Sequence, residues 1–122
     1  MCSYRQLLLW QQASALTRRI YQATQGLDTD DHFELAASLR KEALTVAVHI
    51  ATDYSSEATE FLQGLERARR ALVCLEHLVY LAQALGYWPL SRTVGITRQL
   101  VLIRRHVQAF FHSLPSTERR CR

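Results

Sequence analysis

The stretch from Phe61 to Leu85 constrains the fold of this chain more than any other. Its apolar residues recur at alternating spacings of four and three, at positions 61, 65, 68, 72, 75, 79 and 82. This spacing is typical of an α-helix that packs an apolar seam against neighbouring helices. Beside the seam lies a second apolar set: Ala71, Leu78, Leu81 and Leu85. A helix that is apolar on more than one side needs more than one neighbour, so we predict that it is the central helix of a bundle.

The sequence also marks the ends of helices. Ser55 and Ser56 can cap the central helix, and Gly86 followed by Pro89 is typical of a helix stop, which predicts a helix over residues 57–85. Similar apolar periodicity predicts three more helices, over residues 4–25, 31–54 and 91–114. We therefore predict an all-α fold, an antiparallel up-down-up-down four-helix bundle over residues 1–115, followed by a basic flexible tail over residues 116–122.

Charge is distributed unevenly along the chain. Its 15 basic and 11 acidic residues give a net charge of +4, and every basic residue except Lys41 is an arginine. Residues 92–122 contain seven arginines and one acid, a balance of +6, whereas residues 1–91 carry −2. A basic segment attached to a nearly neutral body suggests a polyanionic partner.

Two further features bear on location. No apolar run approaches the roughly 18 residues of a membrane span, so no membrane partner is predicted. The three cysteines, Cys2, Cys74 and Cys121, lie far apart and form no disulfide framework. An odd cysteine count of this kind favours a reducing compartment, and we predict a cytoplasmic protein.

Arg40 projects from the apolar face of the predicted second helix, next to Ala36, Ala37 and Ala43. A buried guanidinium requires a carboxylate or several carbonyl acceptors, because an unpaired charge is costly to remove from water. Glu76 on the central helix is one candidate partner, in the same subunit or in a neighbouring one. The alternative is that Arg40 extends along the apolar face and reaches solvent at its edge.

Motifs for catalysis or cofactors are sparse. The Glu-x-x-His pairs of di-iron bundles do not occur, and neither does a glycine-rich phosphate loop. Cys74 and His77 have a zinc-like spacing, but a zinc site needs about four ligands and no second pair accompanies them. A structural cysteine beside a surface histidine is the better interpretation. We predict that the chain is not an enzyme and that it binds no metal or cofactor.

Basic side chains of the fourth helix fall on the side opposite its apolar seam. Arg98, Arg105 and His112 repeat every seven residues, and Arg104 lies at their flank. Because arginine forms bidentate contacts with phosphate, this strip predicts binding of RNA or DNA through the backbone, largely without sequence preference. The predicted surface also includes Arg67 and Arg70 on the central helix and Arg119, Arg120 and Arg122 in the tail. A solvated helix surface and a contact for an acidic protein are the alternatives.

Additional apolar residues lie outside the seams, and they favour a third class of function, a protein scaffold. These residues, which are available to a second subunit or a partner enzyme, are Trp10, Leu62, Val73, Tyr80 and Trp88. A scaffold is compatible with nucleic-acid binding, since one assembly can hold both an RNA and a polymerase.

The chain resembles a family of small bacterial four-helix-bundle proteins. The resemblance covers about residues 9–114, and it is carried by Leu39-Arg40-Lys41 with Ala43, by Ile50-Ala51, by Phe61-Leu62, by Ala68-Arg69 with Leu72, by Leu75-Glu76, and by Ala82 with Leu85-Gly86-Tyr87. One branch of the family is encoded in intervening sequences of 23S rRNA genes. The other is the accessory variability determinant (Avd) of diversity-generating retroelements.

The arginine cluster of residues 67, 69 and 70 and the basic fourth helix are more similar to the accessory variability determinants. The resemblance implies a homo-oligomeric ring, a homopentameric barrel. It also implies a non-catalytic accessory that binds nucleic acid and assists a reverse transcriptase with its template RNA. The alternative within the family is a homo-oligomeric scaffold of the intervening-sequence type that binds a protein partner.

Overall fold

The computed structural model of the chain describes residues 4–26, 33–53 and 58–113. These residues form four helices, α1 (Tyr4–Ala23), α2 (Phe33–Asp53), α3 (Ala58–Ala84) and α4 (Leu90–Ser113), with no strand among them. Each helix begins and ends within two residues of its predicted bounds. The all-α, four-helix prediction is confirmed. The predicted basic tail, with Arg119, Arg120 and Arg122, lies outside the described residues.

Each helix packs on its neighbours in sequence, and α1 also packs on α4 to close the bundle. Contacts between α1 and α4 show their relative direction. Gln12 of α1 contacts His106, whereas Arg19, further along α1, contacts the earlier residue Gln99. Neighbouring helices therefore run antiparallel, as the short connections require.

The core is built from the apolar seams that the sequence shows. The α3 seam from Phe61 to Ala82 is buried along its whole length. At one end of the bundle the rings of Phe61 and Phe110 meet edge to face, with centroids 5.0 Å apart. The other helices contribute the fully buried side chains Leu9, Ala13, Leu16 and Ile20 from α1, Leu39, Ala43, Val46 and Ile50 from α2, and Ile96, Leu100, Ile103 and Val107 from α4.

Small residues allow α1 and α2 to approach closely. The hydroxyl of Thr17 lies 2.9 Å from the carbonyl oxygen of Ala13 in its own helix and 3.2 Å from that of Ala43 in α2. A side chain that reaches a backbone carbonyl of the facing helix requires a small residue at that position, and alanine provides it.

The connection from α3 to α4 is a tight helix stop. Gly86 adopts a left-handed φ of 81°, its N–H donates to Gln83 O at 3.0 Å, and the N–H of Tyr87 donates to Ala82 O at 2.9 Å. These two bonds form a Schellman motif, which satisfies the last carbonyls of α3. Helix α3 therefore stops at Gly86 as predicted, because glycine adopts a left-handed φ without a steric penalty.

Two residues that we predicted to lie on an additional surface belong to the core instead. Trp88 is 3% exposed, and its indole N–H donates to the carbonyl of Ala23 at 2.9 Å. The α3–α4 connection folds over the end of the bundle, so the ring covers the last turn of α1. Leu62 is 4% exposed, and it lies about 40° around α3 from Glu76, the residue that reaches α4.

Among the described residues, none of the four helices combines the length and the apolar character needed to cross a bilayer.

Candidate nucleic-acid interface

Arg98 and Arg105 form the centre of the basic surface on α4. They are seven residues apart, which in an α-helix is about 10.5 Å along the axis with a rotation of only about 20°. Both side chains are exposed, and within residues 4–26, 33–53 and 58–113 neither forms an ion pair or a side-chain hydrogen bond. His112, seven residues further on, is exposed near the end of the same line. The structure thus places two available guanidinium groups on one face.

Arg104 has a different role from the one predicted. Its side chain is half-buried, and Nη1 donates to both carboxylate oxygens of Glu76 on α3, at 2.7 and 3.0 Å. The pair joins α3 to α4 at the edge of the core. Arg104 therefore holds two helices together, and much of its charge is neutralised within the bundle.

The ion pair between Arg104 and Glu76 also corrects the predicted partner of Glu76 within the subunit. We considered Arg40 as that partner, but Glu76 pairs with Arg104. The reason is its position on α3: Glu76 lies on the flank toward α4, whereas Arg40 projects from α2 toward α1.

Arg40 instead binds the end of α1. Its Nε donates to Thr24 Oγ1 at 2.7 Å and its Nη2 to the Thr24 carbonyl at 3.2 Å, while the guanidinium lies 5.2 Å from the centre of the Tyr21 ring. A cation at a helix C-terminus is favoured by the helix dipole, and the last turn of α1 has no basic residue of its own. Sequence reasoning missed Thr24 and Tyr21, since nothing in their spacing reveals that α2 supplies the cap.

We expect Arg40→Ala to lower the free energy of unfolding by about 1–3 kcal/mol, the usual range for losing hydrogen bonds from a charged group. The buried Thr24 hydroxyl and its carbonyl lose their donor, although water can reach the half-buried site. Urea unfolding followed by circular dichroism measures the change. Lys41→Ala, an exposed neighbour, is the matched control and should change stability little. Equal stability of the two variants would contradict a capping role for Arg40.

The basic residues of α3 fall into two groups. Arg69 binds Glu66 through two hydrogen bonds, at 2.6 and 3.0 Å, and this contact lowers the pKa of the Glu66 carboxyl. Arg70 is mostly exposed and reaches the same carboxylate at 3.4 Å. Arg67 is exposed and forms no ion pair among the described residues. Arg67 and Arg70 therefore expose their positive charge to solvent, whereas the charge of Arg69 is largely neutralised by Glu66.

The structure does not bring Arg67 next to the α4 strip of the same subunit. Arg67 precedes Glu76 by nine residues, which at 100° per residue places it about 180° around α3 from the flank that contacts α4. Arg70 lies about 120° from that flank. The predicted surface is thus divided within one subunit into an α4 set, Arg98 and Arg105, and an α3 set, Arg67 and Arg70.

Several predicted surface residues are exposed apolar side chains. Val73 and Tyr80 on α3 are 48% and 61% exposed, and Trp10 on α1 is 40% exposed. Further exposed apolar side chains lie on α2: Phe33, Leu44 and Val48. The bundle therefore carries apolar surface on several sides beyond its own core.

The described residues contain no cluster of three or more histidine, cysteine or acidic side chains that could hold a metal ion. Cys74, which we interpreted as a structural cysteine, is a free, exposed thiol on α3. His77 is also exposed, and its ring stacks on that of Tyr80 with centroids 6.4 Å apart.

Comparison with known proteins identifies the family. No curated protein matches the sequence. The sequence model of the family described as 23S rRNA-intervening sequence protein matches residues 5–109. This range covers most of the chain and ends one turn before the end of α4. This family is one that the sequence was found to resemble, so the predicted resemblance is confirmed. The four-helix structure agrees with the match, and the chain belongs to the 23S rRNA-intervening sequence protein family.

Proposed function

We propose that the protein is a non-catalytic, cytoplasmic nucleic-acid-binding protein that contacts RNA or DNA phosphates through the exposed face of α4. The observation that carries this proposal is the pair Arg98 and Arg105, two exposed guanidinium groups on one face that no other described side chain neutralises. Such groups can form charge-assisted bidentate contacts with phosphate. Binding through phosphates alone positions a nucleic acid without reading its sequence, so we expect little sequence preference.

A salt titration tests the proposal. Phosphate contacts release counterions, so the logarithm of the association constant falls with that of the salt concentration by about 0.9 per contact for duplex DNA and about 0.7 for single strands. Contacts by Arg98 and Arg105 therefore contribute a slope of about −1.8 per subunit with duplex DNA. Fluorescence anisotropy with an RNA strand and a DNA duplex measures it. Absent or salt-insensitive binding would overturn the proposal and favour an acidic protein partner.

We further propose that the subunits assemble into a ring, a homopentameric barrel. Exposed apolar residues on α1, α2 and α3, among them Trp10, Val48 and Tyr80, support this, because apolar surface that is contiguous between such residues marks sites of association. A ring can also place the α3 arginines of one subunit near the α4 arginines of the next.

Light scattering coupled to size exclusion measures the assembly. Five subunits of 14.1 kDa give a mass of about 70 kDa, and this mass should not depend on protein concentration in the micromolar range. A monodisperse species of 14.1 kDa would contradict the ring.

We propose that the cellular role of this protein is to assist a reverse transcriptase of a diversity-generating retroelement with its template RNA. The similarity of Arg67, Arg69 and Arg70 to the accessory variability determinants supports this role. The family match favours a second candidate, a homo-oligomeric scaffold that binds a protein partner through exposed apolar residues such as Val73 and Tyr80.

A pull-down with and without nuclease separates these two roles. Capture of a reverse transcriptase that depends on intact RNA supports the accessory role. Capture of a protein that survives nuclease treatment, together with no binding of purified RNA, supports the scaffold.

A further inference from the structure

A cavity of about 400 Å³ lies at the α1–α4 seam, near the start of α4. Its position is distinct from the basic face described above. Arg92 precedes Arg98 by six residues, so the two lie about 120° apart around the helix. Among the described residues, the lining has two arginines and no acidic residue: Arg19, Gln22 and Ala23 from the end of α1, and Pro89, Ser91 and Arg92 from the start of α4.

Arg19 is held in place by α4. Its Nη1 donates to Gln99 Oε1 at 3.0 Å, and its guanidinium lies against Gly95. A Cβ atom at position 95 would overlap Nη2 of Arg19, so the absence of a side chain there allows the guanidinium to lie on the helix. The side chain therefore lies across α4 and reaches the cavity from α1, and its donors not bonded to Gln99 are available.

Arg92 lines the same cavity and forms no ion pair or side-chain hydrogen bond with another described residue. Two cations that share a cavity repel each other, and the first turn of α4 has no acidic residue to offset them. The positive end of the helix dipole adds to this repulsion. Both the two guanidinium groups and the helix dipole therefore favour binding of an anion with several acceptor oxygens.

We propose that this cavity is a phosphate-binding site, formed by Arg19 and Arg92 with Ser91 and Gln22 as additional donors. Phosphate fits this chemistry because its oxygens accept bidentate hydrogen bonds from guanidinium forks and its negative charge offsets the two arginines. The phosphate is either free or the terminal group of a nucleotide or an oligonucleotide. The site does not depend on the proposed nucleic-acid face and can be tested separately.

The first experiment compares phosphate with chloride at equal ionic strength. Titration calorimetry with inorganic phosphate, on the full chain, should show saturable binding that Arg19→Gln and Arg92→Gln each weaken at least tenfold. Arg18→Gln, which removes one exposed arginine of α1 outside the cavity, is the matched control and should bind phosphate as the unmodified chain does. Equal binding by Arg92→Gln and the control, or no saturable binding, would overturn the proposal.

Gly95→Ala provides a second variant in which stability and binding change in opposite directions. Alanine favours the helix more than glycine does, and the added Cβ displaces only the flexible end of Arg19. The melting temperature in chloride should rise while phosphate affinity falls at least tenfold. A higher melting temperature with undiminished phosphate affinity would show that the position of Arg19 is irrelevant and would contradict the site.

A comparison of three ligands identifies the source of the phosphate. The ligands are inorganic phosphate, a nucleoside monophosphate and a 5′-phosphorylated oligonucleotide, and the 5′-hydroxyl form of the oligonucleotide serves as its control. The site is supported if any of these ligands binds the unmodified chain and Arg92→Gln abolishes that binding. The ligand that binds most tightly identifies the source of the phosphate. The double variant Arg98→Glu, Arg105→Glu separates the two proposals. If this variant loses affinity for the 5′-hydroxyl oligonucleotide and still binds inorganic phosphate, both proposals are supported. If it keeps its affinity for the 5′-hydroxyl oligonucleotide, only the proposed function is overturned.

Discussion

Replacing Arg98 and Arg105 together by glutamate is expected to weaken binding to RNA and duplex DNA by roughly a hundredfold at physiological salt. Each phosphate contact contributes a factor of roughly five between 1 M and 0.15 M salt, and the introduced carboxylates add repulsion. The fold should be retained, because both side chains are exposed and lie away from the α4 seam. Anisotropy titrations, with circular dichroism to confirm folding, measure the effect.

The matched control introduces the same change in net charge elsewhere. Arg18→Glu with Lys41→Glu reverses two exposed basic residues of α1 and α2, and it should weaken binding only slightly through the general field of the protein. Arg104 is left unchanged, since a glutamate there would face Glu76 and destabilise the α3–α4 contact. If the two double variants bind equally well, α4 is not the interface.

The largest effect on stability is expected at Trp88. Trp88→Ala should lower the free energy of unfolding by about 3–5 kcal/mol, the range for truncating a buried aromatic residue. The variant loses packing across the end of the bundle, and it leaves the carbonyl of Ala23 without its indole donor. Urea unfolding followed by circular dichroism at 222 nm gives the value.

Trp88→Phe separates the two contributions. The smaller ring keeps most of the packing, and the lost hydrogen bond alone costs about 1 kcal/mol. We therefore expect Trp88→Phe to be clearly more stable than Trp88→Ala. A cost below 1 kcal/mol for Trp88→Ala would mean that the α3–α4 connection does not cover the core as described.

The fold was predictable because it depends on local periodicity. The seams from Phe61 to Ala82 and from Ile96 to Val107 each specify a helix and its buried face, and a stop signal such as Gly86 specifies where a helix ends. Antiparallel packing then follows from the short connections. The exposure of Arg98 and Arg105 was predictable for the same reason, since their positions are opposite the α4 seam.

The partners of individual side chains were not predictable in this way. Glu76 can reach Arg104 because of the relative rotation of α3 and α4, which no single-helix pattern contains. Thr24 accepts from Arg40 because α2 packs against the end of α1, and Trp88 is buried because the chain folds back over the bundle. In each case the interaction joins residues from two elements, so its geometry emerges only when the helices are packed.

The α1–α4 seam also has a consequence for folding kinetics. Its contacts join residues very far apart in sequence, Gln12 with His106 and Arg19 with Gln99. Closing a loop of that length carries a larger entropic cost than pairing helices that follow one another, such as α3 and α4. We therefore expect the three sequential helix pairs to form before the rate-limiting barrier, and α1 to dock on α4 after it. Substitutions at this seam would then accelerate unfolding while leaving the folding rate nearly unchanged, so the seam would determine how long a folded subunit persists.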